Sequence, residues 1–167
     1  MQFLRLTAAL LAALACNAAQ PAESPDLAAR WLAAMRPVPE LGRQKNAGVV
    51  LREFKAAGLI PFKPDRVDYT DYYPVLKPVQ VLGHDLVIVE EEYMARYVGC
   101  CVSEGAGMVL RLHGDTKKLE AFAQANKCSV EKFKDAAEYR DNHMNVRFPL
   151  PAGTYAALSC RARDEER

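Results

Sequence analysis

Apolar residues recur at helical spacing in two early stretches of the chain. Leu27, Ala28, Trp31, Leu32 and Met35 share one face of a helix. Ser24-Pro25-Asp26 supplies the start: a capping hydroxyl, a proline at the first helical position and an acid in the first turn. Pro37 and Pro39 end it. A second stripe, Ala47, Val50, Leu51, Phe54 and Ala57, closes at Gly58, a suitable C-terminal cap. Both stripes read as core-facing amphipathic helices. Residues 67–73 are strand-like and rich in tyrosine. Residues 79–82 and 86–89 are apolar runs around Gly83-His84-Asp85, which predicts a hairpin turning at Gly83-His84 and leaves His84 exposed. Residues 100–102 and 108–112 predict a second hairpin with a longer loop. Asp115 caps a third helix bearing Leu119, Phe122 and Ala123, and Ser129 is expected to cap a fourth bearing Val130, Phe133 and Ala137. A last strand covers residues 154–161, and the end of the chain reads as a solvated tail.

Helices, then strands, then helices, then a strand is an α+β order. The expectation is a small antiparallel sheet of about four to five strands packed with about four helices. The divisions are 1–15 as a signal peptide, 16–24 as a flexible tether, 25–162 as one globular domain and 163–167 as the tail.

The signal-peptide reading rests on the first residues. Arg5 precedes an apolar run over residues 6–15 that is shorter than the ~20 residues a membrane-spanning helix needs. A basic start, a short apolar centre and small residues at its end define a secretory leader. The run ends at Ala13-Leu14-Ala15-Cys16, where Ala15 and Cys16 resemble the lipobox of bacterial lipoprotein precursors. That resemblance implies cleavage before Cys16, lipidation of its thiol and attachment to a membrane. Asn17 in place of an aspartate implies the outer membrane of the envelope. Ordinary secretion, with a cut near Ala18 or Ala19, is the alternative.

Composition narrows the remaining classes. Lys and Arg total 22 and Asp and Glu 21, so the formal charge is +1, and loss of Arg5 with the leader makes it zero. A neutral chain has no electrostatic footprint for nucleic acid. Of the 5 cysteines, Cys16 is set aside for lipid; Cys100, Cys101, Cys128 and Cys160 form an even set, expected as two disulfides in an oxidising compartment. Neighbours Cys100 and Cys101 are the least favoured pair, because closing that ring distorts the peptide between them. If they lay in a strand they would point to opposite faces, and each would join Cys128 or Cys160 in one of two arrangements.

Candidate chemistry is sparse. Gly105-Ala106-Gly107 lacks the third glycine and the following helix of a dinucleotide site, so it reads as a turn. His84, His113 and His143 are too widely spaced for a zinc signature; no metal or other cofactor is expected. Glu90-Glu91-Glu92 puts Glu90 and Glu92 on one face of a strand. With Tyr72, Tyr73 and Tyr93, in a region that also holds Tyr69 and Tyr97, they form the candidate binding surface, since tyrosines and acids suit an interface. The expected function is a non-enzymatic, lipid-anchored envelope module of inhibitor or immunity type, with an envelope protein or ligand as its partner. The alternative is a periplasmic enzyme using acid–base chemistry around Glu90–Glu92 with His84 or His113.

Overall fold

The computed structural model describes residues 24–38, 47–92, 97, 100–143 and 146–165. The expected leader, the lipidation site at Cys16 and the binding candidate Tyr93 lie outside them, as does the expected tether apart from Ser24, which belongs to the first helix.

Helices α1 (Ser24–Ala34) and α2 (Ala47–Ala56) form where the apolar stripes predict. Six further elements build most of the sheet: β1 (Asp65–Val67), β2 (Thr70–Pro74), β3 (Gln80–Val81), β4 (His84–Glu92), β5 (Gly105–Arg111) and, after α3 (Lys117–Ala125), β6 (Ser129–Phe133). Helix α4 (Ala136–Asn142) leads to β7 (Tyr155–Arg161) and a short 3₁₀ turn, Ala162–Asp164. The antiparallel sheet has 7 strands in the order β1-β2-β4-β5-β7-β6; β3 pairs with the start of β4, on the edge that β2 occupies further along. The α+β class is as expected, with more strands.

Three local differences separate the observed elements from the expected ones, and the first and last of them add strands. Residues 67–73 are a hairpin and not one strand, because Asp68 turns with a positive φ of 50°. The next turn falls at Leu82-Gly83, both at positive φ (57° and 90°), one residue earlier than the sequence suggests. His84 therefore enters β4 and is buried, with 1% exposure, where an exposed turn was expected. Ser129 starts a strand, not a helix. Val130 and Phe133 have helical spacing, but in β6 they point to opposite faces, Val130 against the main core and Phe133 against the second. The fourth helix begins instead after Asp135, whose carboxylate accepts from the Ala137 and Glu138 amides at 2.9 Å each.

The sheet separates two cores. On one face α1, α2 and α3 pack Trp31, Met35, Phe54, Leu119 and Phe122 over Tyr73, Val89, Met108 and Leu158. Trp31 and Phe54 meet edge to face at 5.9 Å. On the other face Tyr139 of α4, Val146 and Phe148 cover Tyr72, Ile88, Val109 and Tyr155.

The cysteine pairing differs from both expected arrangements. Cys100 and Cys101 stand at disulfide distance from each other, and so do Cys128 and Cys160. The expectation assumed a strand at Cys100, but the segment is a turn whose Cys100, Cys101 and Val102 amides all donate to the Tyr97 carbonyl. Ser129 faces Ser159 in the β6–β7 register, so one step outward sets Cys128 directly across from Cys160, with Cα atoms 4.4 Å apart.

Candidate functional site, a buried ion cluster beside a polar cleft

Glu90 and Glu92 share a face of β4, as alternation requires. That face is the one α4 covers. On it the register aligns Tyr72, Glu90, Gly107 and Ser159 across four neighbouring strands. Arg161, at the end of β7, extends over Gly107 to reach Glu90 Oε2 at 3.1 Å, and its Nε lies 2.9 Å from Glu92 Oε1. Gly107 keeps this path open: a Cβ there would stand 2.6 Å from Glu90 Oε2 and 3.0 Å from Arg161 Nη1. Arg161 is 4% exposed and Glu90 5%. Such burial of ions persists only with compensating partners.

The partners are specific. Glu92 also pairs with Arg163 and accepts from the Ser103 amide at 2.6 Å. Arg161 Nη1 donates to Ser159 Oγ at 2.8 Å. The 3₁₀ turn folds Asp164 back so that its carboxylate accepts from Ser159, Ser129 and the Arg161 amide at 2.6, 2.8 and 2.8 Å. Asp164 is thus buried, and the expected solvated tail does not begin at residue 163. Tyr139 donates to Glu90 Oε1 at 3.4 Å.

Electrostatics follow from this packing. Burial opposes the charge on Arg161, but Glu90 and then Glu92 outweigh it and hold the guanidinium above its ordinary pKa. Burial, then Glu90, pushes Tyr72 up to about 12 and Tyr139 further, so both phenols remain protonated. Beside the cluster is a cleft of about 160 Å³, lined by Glu90, Ser129, Glu131, His143, Ser159, Arg161, Arg163 and Asp164 among others. His143 stacks on Tyr139 with centroids 4.5 Å apart. Glu131 and Arg163 form its exposed rim.

The predicted binding residues do not make one open surface. Tyr72 and Tyr73 are both buried and occupy opposite faces of the sheet. Tyr73 lies under Lys55, whose Nζ is 4.3 Å from the ring centroid. Glu90 and Glu92 are brought together, but against Arg161. Glu91 turns to the helical face beside Gly48, where burial raises its pKa. Of the other tyrosines, Tyr69 and Tyr97 pair at 5.6 Å. Arg161, Asp164 and His143 were missed. The first two lie in a charged terminal run that resembles a solvated tail in sequence, and His143 sits in what reads as a polar loop.

His84 and His113 belong to a separate cluster at the opposite end of β4, about 20 Å from Glu90 along the strand. His84 Nδ1 accepts from the His113 amide at 3.1 Å, while His113 Nε2 and Arg111 both contact Asp85. The structure therefore does not unite either histidine with Glu90 or Glu92. Among the described residues, no group of three or more His, Cys, Asp or Glu could hold a metal ion, and no helix is long and apolar enough to cross a membrane.

Burial and then His113 hold the His84 imidazole below its ordinary 6.5. The unfolded chain takes up that proton near 6.5 and the folded chain resists it. Stability should fall as pH drops below 6.5 and return as pH rises, with a slope of at most about 1.4 kcal/mol per unit, the limit for one proton. Replacing His84 with asparagine, which retains an acceptor for the His113 amide, should flatten that slope in urea titrations. An unchanged slope would assign the pH dependence elsewhere. Asp85 acts in a lower window: the His113 hydrogen bond, with Arg111, depresses its pKa, so its contribution is lost only below its ordinary 3.8.

In comparisons with known proteins, no family model, curated protein or solved structure matches the chain.

Proposed function

We propose that the chain is an exported, lipid-anchored envelope protein whose domain binds another envelope protein or ligand, in the manner of an inhibitor or immunity module. The observation that carries this reading is the commitment of Glu90 and Glu92 to Arg161. The carboxylates best placed for acid–base work are spent on holding β4 to β7 across Gly107. What remains open beside them is a small polar cleft with a charged rim, which suits recognition. The contact surface first assigned to Tyr72, Tyr73, Glu90, Glu92 and Tyr93 moves accordingly to Glu131, His143 and Arg163. Cross-strand cysteines at 128 and 160 agree with a domain built for an oxidising compartment.

Affinity capture from envelope extract tests the binding claim, comparing the native protein with Glu131→Ala/Arg163→Ala. The native protein should retain a discrete partner that the variant loses by roughly tenfold or more, the scale of a central interface contact. Equal capture by both would remove the cleft as the binding surface. Intact mass of the processed protein tests the anchor: a lipid adduct on Cys16 is expected, and a polypeptide beginning near Gln20 would replace lipidation with plain secretion.

A further inference from the structure

Two loops meet beside the β1–β2 edge of the sheet. One, residues 59–64, follows α2; the other, residues 75–79, joins β2 to β3. The Leu76 amide donates to the Leu59 carbonyl at 2.7 Å, and Lys77 Nζ donates to the Ala57 carbonyl at 3.2 Å. Pro61, Pro64, Pro74 and Pro78 fix φ within or beside both loops, so the pair is stiff. Among the described residues, its tips carry the two most exposed large apolar side chains, Phe62 at 77% and Leu76 at 59%. Exposed Lys63 and Lys77 directly follow them in the chain, and exposed Arg147 joins Lys63 in lining an open groove over Pro61, Pro64, Pro74 and Phe148.

We propose that this loop pair is a membrane-contact face that inserts Phe62 and Leu76 among the headgroups of an anionic phospholipid surface. Lys63, Lys77 and Arg147 meet the lipid phosphates. Single exposed apolar residues are ordinary; two on tethered, proline-stiffened loops with a cationic surround are a pattern. Asp65, the nearby acid, accepts from the Arg147 amide at 2.5 Å and keeps its charge, so three cations stand against one carboxylate and the net charge is positive. Apolar tips flanked by cations are the composition of an interfacial anchor. Two projecting side chains fall well short of the roughly 800 Å² per partner that a stable protein interface buries. They suffice for a weak, reversible contact that orients a protein held nearby by other means. The proposal goes beyond the binding reading and does not depend on lipid at Cys16.

The test uses the full chain carrying Cys16→Ser and Phe62→Trp. The natural Trp31 is fully buried, so its emission should stay constant and is subtracted using the same chain with Phe62 retained. Vesicles of phosphatidylglycerol with brominated phosphatidylcholine should shift the new tryptophan emission to the blue and quench it. Brominated phosphatidylcholine alone should do so weakly. Adding Lys63→Glu/Lys77→Glu should raise the lipid needed for half-quenching by about tenfold or more. Emission unchanged by anionic vesicles, even where the leader carries the chain into the pellet, would overturn the proposal. So would equal quenching in the charge-reversed variant, or a shift produced only by envelope proteins.

Discussion

Replacing Arg161 with methionine should lower the unfolding free energy by about 3–5 kcal/mol, read as a fall in the urea midpoint with an unchanged slope. The two carboxylates it serves do not suffer equally. Glu92 keeps Arg163 and the Ser103 amide. Among the described residues, Glu90 keeps only the long hydrogen bond from Tyr139, and it remains 5% exposed. The cost therefore comes mainly from one stranded buried charge. Adding Glu90→Gln to Arg161→Met should recover most of the loss, whereas adding Glu92→Gln should recover little. Lysine at position 161 should fall between, because a single ammonium cannot fork to both acids and Ser159. A loss below about 1 kcal/mol for Arg161→Met would place the cluster in the regime of exposed ion pairs and defeat the structural role assigned to it.

That cluster also marks where sequence reasoning reached its limit. Alternation sufficed to put Glu90 and Glu92 on one face, and the stripes at Leu27–Met35 and Ala47–Ala57 placed both early helices. What alternation could not supply was the strand neighbour. Arg161 lies 71 residues from Glu90, and their contact depends on β5 lying between β4 and β7 with glycine at position 107. Short-range patterns misled where two readings share a spacing. Val130 and Phe133 satisfy a helix as three-apart neighbours and a strand edge as residues on opposite faces; pairing with β7 decides for the strand. At Leu82 the sequence offered a leucine where a positive φ is disfavoured, so the turn appeared one residue late and His84 appeared exposed. The tyrosine concentration was real in sequence, but the sheet divided it between two faces.

Peptide mapping of protein made in an oxidising compartment should recover Cys128 cross-linked to Cys160, and Cys100 joined to Cys101 within one peptide. The two pairs should contribute very unequally. Cys128–Cys160 closes a loop of sequence separation 32, for which chain entropy gives about 3–4 kcal/mol. It also joins the edge strand β6 to β7, where Cys160 is fully buried. The neighbouring pair closes almost no chain, so the same entropy confers little, and both of its residues are exposed. Mild reduction followed by alkylation should thus label Cys100 and Cys101 first and leave the urea midpoint unmoved. Cys128→Ser/Cys160→Ser should lower the unfolding free energy by the full 3–4 kcal/mol, about the loss expected for Arg161→Met. The two losses should add within about 0.5 kcal/mol only if the sites are independent, yet Arg161 directly follows Cys160 and Ser129 directly follows Cys128. Both neighbours hydrogen-bond Asp164, so opening the disulfide should also loosen the turn that helps position Arg161. The combined variant should accordingly lose less than the sum. A cross-linked peptide joining Cys100 or Cys101 to Cys128 or Cys160 would refute this pairing, and strict additivity would separate the disulfide from the ion cluster.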